Sequence, residues 1–230
     1  MLQEQSAPAL AIAVDVPSAG VVLSGDLTLP RDPAGVVVFV HGGGSGRFSP
    51  RNRGVAAALA GDGFATLLFD LLTHPEGIAE RDTRHLRFDI ALLSERLVGA
   101  IDWVTRRPAL GGLPVGLFGA STGAAAALVA ATRVKVATVV SRGGRPDLAG
   151  AALPRVRCPT LFIIGGADTV VLELNRRAMG EMTAPIAMHI VPRAGHLFNE
   201  PGALAEVTHI AVGWFGDQLG LAADRAAVRT

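Results

Sequence analysis

Residues 115–127 run as an apolar strand, a serine between two glycines, and an unbroken set of helix formers: Val-Gly-Leu-Phe-Gly-Ala-Ser-Thr-Gly-Ala-Ala-Ala-Ala. Neither side of that strand is polar, so both of its faces have to be covered, as they are inside a parallel sheet flanked by helices. The turn between strand and helix has to be sharp. It brings the strand's end and the first helical turn so close together that a Cβ on Gly119 or Gly123 would collide. It also lifts Ser121 above the strand's carboxyl end and aims the Thr122 amide at whatever sits beside it, because the first amides of a helix lack internal partners.

The rest of the chain supplies the sheet and helices that such a unit needs. After a loose lead-in over residues 1–8, residues 11–16 and 21–29 read as two strands of a hairpin around Pro17-Ser18-Ala19-Gly20. Residues 35–40 and 65–70 are buried strands. Between them a helix starts with Ser49 as cap and Pro50 in its first turn, and stops at Gly61-Asp62-Gly63. Residues 71–84, with Pro75 and Gly77, read as an irregular, mobile loop beside the site. Leu86, Ile90, Leu93, Leu97, Ile101 and Val104 recur at spacings of three and four, one face of a long helix ending before Pro108. Further strands are expected over 134–140, 159–164 and 186–191, with helices over about 172–182 and 203–219. Strands alternating with helices imply right-handed crossovers, and ligands then bind at the strands' carboxyl ends. The expectation is a single α/β domain over residues 1–230, a mostly parallel sheet with an N-terminal antiparallel hairpin, helices on both faces and no large lid.

Three strand ends carry the residue types of nucleophilic catalysis. Ser121 follows one, Asp168 follows Gly165-Gly166-Ala167, and His196 follows Arg193-Ala194-Gly195, in the chain order serine, acid, histidine. A serine hydroxyl is a poor nucleophile until a neutral imidazole takes its proton, and a carboxylate on the imidazole's far side fixes the tautomer and steadies the imidazolium. The oxygen of the attacked carbonyl needs donors fixed in advance. The amides of Thr122 and Gly43 are the candidates, with Gly44 as substitute, since His41-Gly42-Gly43-Gly44 ends the strand over 35–40. His41 is read as organising that loop. Activity should rise with pH as His196 loses its proton.

These motifs resemble a small α/β-hydrolase of the dienelactone-hydrolase-like group, in particular a bacterial branch sometimes joined to phosphoribosyltransferase domains. The resemblance covers about residues 21–219. It is carried by His41-Gly42-Gly43-Gly44, Ser49-Pro50-Arg51-Asn52, Gly119-Ala120-Ser121-Thr122-Gly123, Ser141-Arg142-Gly143-Gly144-Arg145-Pro146-Asp147 and Gly195-His196-Leu197-Phe198. It implies hydrolysis of acyl esters or lactones without a metal or other cofactor. Dienelactone hydrolases proper have cysteine where this chain has Ser121, which argues against dienelactone itself as substrate. The same triad could pass the acyl group to an alcohol, amine or peroxide, and a relative that only binds ligand is the remaining alternative.

Arg47, Arg51 and Arg53 lie at or near the start of the helix that Ser49 caps, where the helix dipole disfavours cations. Arg51, with Arg47 or Arg142, is therefore a candidate for binding a carboxylate or phosphate on the substrate, against pairing with a local aspartate or simple solvation. Only 13 residues, 142–154, separate two strands after the serine, which leaves the site open to short acyl groups. Net charge +1 gives no argument for nucleic acid. His74 and His85 lack a third spaced ligand, so no metal site is expected. The one cysteine, Cys158, precludes an internal disulfide; it and the two tryptophans, Trp103 and Trp214, are read as core residues. With no basic start before an apolar run and no long apolar window, a cytoplasmic protein without membrane association is expected, its partner a small ester or lactone and its oligomeric state open.

Overall fold

The structure, a computed structural model, describes residues 11–220; the lead-in expected over 1–8 lies outside them. Eight strands form one sheet: β1 (Ala11–Ser18), β2 (Val21–Thr28), β3 (Val36–Val40), β4 (Ala65–Phe69), β5 (Val115–Ala120), β6 (Thr138–Arg142), β7 (Thr160–Gly165) and β8 (Ile186–Val191). Their spatial order is β1-β2-β4-β3-β5-β6-β7-β8. The first two make the expected antiparallel hairpin, β2 joins β4 antiparallel, and every pairing from β4 onward is parallel.

Helices α1 (Pro50–Gly61), α2 (His74–Thr83), α3 (Ile90–Thr105), α4 (Thr122–Ala130), α5 (Thr169–Gly180) and α6 (Ala203–Leu219) complete the fold. Successive residues of a strand face opposite sides, and β5 shows the consequence. Phe118 packs into a cluster with Phe39, Leu59 of α1 and Phe215 of α6, whereas Leu117 packs into a second cluster with Leu97 and Ile101 of α3 and Ala125 of α4. Two cores, one on each face, account for a strand with no polar side. No helix of the described residues is long and apolar enough to cross a membrane.

Three local expectations are corrected. Residues 74–83 form α2 rather than an irregular loop: Thr73 precedes it, and the Glu76 carboxylate three residues on accepts from the Thr73 amide at 2.7 Å and from its hydroxyl at 2.8 Å. Pro75 is tolerated because it sits in the first turn, where no amide bond is lost. The long helix expected from Leu86 is divided. Leu86–Phe88 is a separate 3-10 turn, and α3 starts after Asp89, whose carboxylate accepts from the Leu92 amide at 3.0 Å. Finally, β6 begins at Thr138 and runs through Arg142, so that Arg142 stands on the sheet and not in the loop beyond it.

The sheet order also explains where the site lies. From β3 the chain steps one way to β4 and the other way to β5, so the crevice between β3 and β5 is the point where the order reverses. Val40 pairs with Gly119 there, which sets the glycines after β3 beside the serine after β5.

Candidate active site

Ser121 has φ 51° and ψ −124°, a backbone that a residue with a side chain adopts only when its surroundings force it. The forcing contacts are on both sides. A Cβ on Gly119 would lie 2.5 Å from Ala124 Cα, and one on Gly123 would lie 2.5 Å from the His41 carbonyl oxygen and closer still to that of Val40. Strand end, helix start and the neighbouring strand are thus in contact through backbone alone. Ser121 occupies the N-cap position of α4, yet its hydroxyl makes no capping bond. Instead it lies 3.3 Å from His196 Nε2.

Asp168 likewise precedes α5 without capping it, and its Oδ2 accepts from His196 Nδ1 at 2.7 Å. The carboxylate is mostly enclosed, at 16% exposure, whereas the imidazole is 38% exposed. The loop after β8 must cross back over two strand ends for His196 to reach Ser121, and glycines on those strand ends let it pass. A Cβ on Gly165 would meet the Gly195 carbonyl oxygen at 2.6 Å, and one on Gly143 would meet that of His196 at 3.2 Å. All three members of the expected triad are therefore brought together, with the imidazole between acid and hydroxyl.

The expected oxyanion donors have a more particular arrangement. Thr122 N–H is the first amide of α4 and has no partner within the helix. The Gly43 amide donates to Thr122 Oγ1 at 3.1 Å, which ties the loop after β3 to the start of α4. Gly44 lies in a left-handed turn (φ 70°) beneath the guanidinium of Arg87, closed by Ser45 N–H to Gly42 O at 3.3 Å. His41 organises this loop as expected. Its Nε2 accepts from the Leu71 amide at 3.0 Å, which leaves Nδ1 to donate to Gly42 O at 2.9 Å, and burial pushes its pKa below the ordinary histidine value.

The arginines divide into two groups. Arg47 is met by Asp70, through its amide at 2.8 Å and through its guanidinium, with Asp26 at 3.8 Å; it is not the free anion-binding group that its place in the sequence suggested. Arg53 pairs with Asp26 at 3.1 Å. Arg142 and Arg51 have no acidic partner among the described residues.

A pocket of about 610 Å³ opens on the other side of the glycine loop, lined by Gly42, Gly43, Phe48, Leu72, Ile78 and Arg87 among others. It abuts Ser121, because a Cβ on Gly42 would lie 2.8 Å from the serine's Cβ. Sequence reasoning missed the wall of this pocket. Arg87, whose side chain packs over Gly43, is held by the buried Glu80 of α2, and Arg96 is held by Glu76 at 2.6 Å. The Thr73-x-x-Glu76 pattern was the available signal. Among the described residues, no three His, Cys, Asp or Glu side chains are grouped as a metal ion would need. Cys158 is buried and its thiol is pushed up to about 11, while Trp214 donates from Nε1 to Thr138 Oγ1 at 2.7 Å.

Comparison with known proteins adds an independent finding. The model of the dienelactone hydrolase family matches residues 23–213. A crystal structure of a dienelactone hydrolase from Anabaena variabilis is 51% identical, covers 92% of this chain and 99% of its own, and superposes with a TM-score of 0.90. Two Mycobacterium tuberculosis proteins, from strains CDC 1551 and H37Rv, are each 54% identical over 208 residues and are provisionally named phosphoribosyl transferases. Those residues are 90% of this chain but 46% of either relative, so the chain spans about half the length of the curated proteins it matches. Est1E from Butyrivibrio proteoclasticus shares the fold at 14% identity, with a TM-score of 0.75 over 90% of this chain and 98% of its own.

Proposed function

The chain belongs to the dienelactone hydrolase family, and from that premise we propose that it hydrolyses short-chain carboxylic esters or lactones through an acyl-enzyme on Ser121. The observation that carries this reading is the continuous link from Asp168 through His196 to the Ser121 hydroxyl. As Oγ attacks the substrate carbonyl, Nε2 of His196 takes its proton, and the Asp168 carboxylate faces the imidazolium so formed. The carbonyl oxygen, now negative, is received by the amides of Thr122 and Gly43. For the second of these the Thr122 hydroxyl has to share or release the Gly43 N–H. The imidazolium then protonates the departing alkoxide. A water molecule, deprotonated by the same imidazole, attacks the ester on Ser121 and returns the serine to its starting state.

The Ser121 to His196 separation of 3.3 Å is long for a hydrogen bond and is of the kind that tightens when substrate arrives. The exposure of His196 lets water reach the base directly, as hydrolysis of the acyl-enzyme requires. The phosphoribosyl transferase name of the longer relatives is assigned here to the half of those proteins that this chain does not match. The test is hydrolysis of 4-nitrophenyl butyrate by wild type, Ser121→Ala and His196→Gln. Each substitution is expected to lower kcat by about 10³-fold or more. Folded variants that keep the wild-type rate would overturn the assignment.

A further inference from the structure

Any residue that follows the nucleophile at a turn of this kind supplies a backbone amide to the oxyanion. Here that residue is Thr122, whose side chain adds a hydroxyl that the turn does not require. Thr122 is enclosed, at 4% exposure, and its Oγ1 accepts from the Gly43 amide at 3.1 Å. Oγ1 therefore lies where the N–H of one oxyanion donor points, and on the same residue as the other donor.

The Gly43 amide is not free to turn away from it. Gly43 N–H shares a peptide plane with the Gly42 carbonyl, whose oxygen accepts from His41 Nδ1 at 2.9 Å and from the Ser45 amide at 3.3 Å. His41 is held in turn by the Leu71 amide at 3.0 Å. Packing fixes the same peptide from both ends: a Cβ on Gly42 would lie 2.8 Å from Ser121 Cβ, and one on Gly43 would lie 2.6 Å from Arg87 Cβ. The threonine oxygen is little freer, because χ1 of a β-branched residue in a helix is stiff. What moves freely is the hydroxyl proton, by rotation about the Cβ–Oγ1 bond.

That proton has no acceptor among the described residues, since the bond from Gly43 is the one that Thr122 Oγ1 makes. Other threonines of the helices differ. Thr208 in α6 and Thr132 just after α4 donate to carbonyls about one turn back, Leu204 O and Val129 O, at 2.8 Å each. At the first position of α4 there is no preceding turn to receive the proton. A buried hydroxyl proton left unpaired is costly, and a carbonyl oxygen turning negative beside the Thr122 amide would accept it. The bond from Gly43 polarises the hydroxyl and makes it a stronger donor.

We propose that the Thr122 hydroxyl is a catalytic group, which donates to the oxyanion together with the Thr122 amide and transmits the pull of the Gly43 amide to it. The proposal rests on the hydrolytic reading of Ser121. As Ser121 Oγ bonds to the carbonyl carbon, the C=O π pair moves onto oxygen and the serine proton passes to His196 Nε2. The threonine keeps its own proton and shares it as a hydrogen bond, which weakens again when the carbonyl re-forms and the alkoxide leaves.

Thr122→Val keeps the branched shape and the amide but lacks the hydroxyl, Thr122→Ala removes the hydroxyl without filling its place, and Thr122→Ser restores it. Each is compared with wild type in hydrolysis of 4-nitrophenyl butyrate and in the rate of labelling by a fluorophosphonate probe, whose phosphoryl oxygen gains negative charge at the same point. Thr122→Val and Thr122→Ala are expected to lower kcat and the labelling rate about 10²-fold, with KM within about threefold of wild type and Thr122→Ser within about fivefold in rate. A role in packing alone would follow the methyl group, so a Thr122→Ser rate as low as that of Thr122→Ala overturns the proposal. So does a folded Thr122→Val or Thr122→Ala whose rates stay within about twofold of wild type or exceed them, because the hydroxyl would then only compete for the Gly43 amide. Two hydroxyl-free variants keep the question answerable if one of them does not fold. Wild type inert to both ester and probe overturns the hydrolytic reading and this role with it, whereas an active wild type beside equally active hydroxyl-free variants overturns this role alone.

Discussion

Replacing Gly123 by alanine adds one methyl group at a point walled in by backbone. Its carbon would stand 2.5 Å from the His41 carbonyl oxygen and 2.8 Å from the Val40 carbonyl carbon, with the Val40 oxygen nearer still. Ordinary contact begins near 3.4 Å, so α4 and the end of β3 have to separate by about 1 Å. Every obstructing atom is backbone at the end of a central strand, and no side chain can rotate aside. Overpacking of this kind costs about 1–3 kcal/mol, which in a chain of this length lowers Tm by roughly 2–12 °C, at about 2–4 °C per kcal/mol. The functional cost is expected to be larger, because the separation moves the Ser121 hydroxyl and Thr122 amide away from the glycine loop, and a misplacement of about 1 Å costs on the order of 10²-fold in rate. Thermal unfolding and 4-nitrophenyl butyrate hydrolysis, on the same preparation, measure both. A Gly123→Ala protein with unchanged Tm and a rate within twofold of wild type would refute the claim that backbone contact at this turn sets the geometry.

Two further outcomes follow from other parts of the structure. Ser121→Gly is expected to be more stable than Ser121→Ala by about 1 kcal/mol in urea unfolding, because only glycine adopts φ 51° and ψ −124° without strain; equal stability would mean that the turn stores none. The Arg96 guanidinium beside Glu76 holds its carboxyl at about 2, well below the ordinary 4.5. The stability this supplies is therefore complete above pH about 4.5 and is lost as pH falls through about 2. Glu76→Gln should be less stable than wild type at pH 7, by about 1–2 kcal/mol after allowing for the solvent exposure of the carboxylate, and the deficit should shrink between pH 4.5 and 2. A deficit that stays constant over that range would show that the charge of Glu76 contributes nothing.

The sheet and the triad were legible because their signals are local: continuous apolar strands, small residues at their ends, and a serine framed by glycines whose spacing leaves no room for side chains. What escaped depends on partners distant in sequence or on competing local signals. The polar composition of residues 71–84, with Pro75 and Gly77, concealed α2, although Thr73 and Glu76 mark its start. The apolar periodicity from Leu86 onward is continuous across Asp89, so only the capping bond reveals the break. Arg47 and Arg142 look alike in the sequence. Asp70, 23 residues away, satisfies the first, while the second is enclosed without an acid, and only the packing of β4 and α1 decides which arginine keeps its charge free. The tie between the Gly43 amide and the Thr122 hydroxyl spans 79 residues and has no sequence signature.

The central claim is that Ser121 is a nucleophile activated by His196, and the most direct measurement is intact mass after exposure to a fluorophosphonate probe. Wild type is expected to gain the mass of one adduct and to lose ester hydrolysis in step with it, while Ser121→Ala gains nothing. A folded wild-type protein that remains unlabelled, or labelling that is equal in Ser121→Ala, would contradict the account.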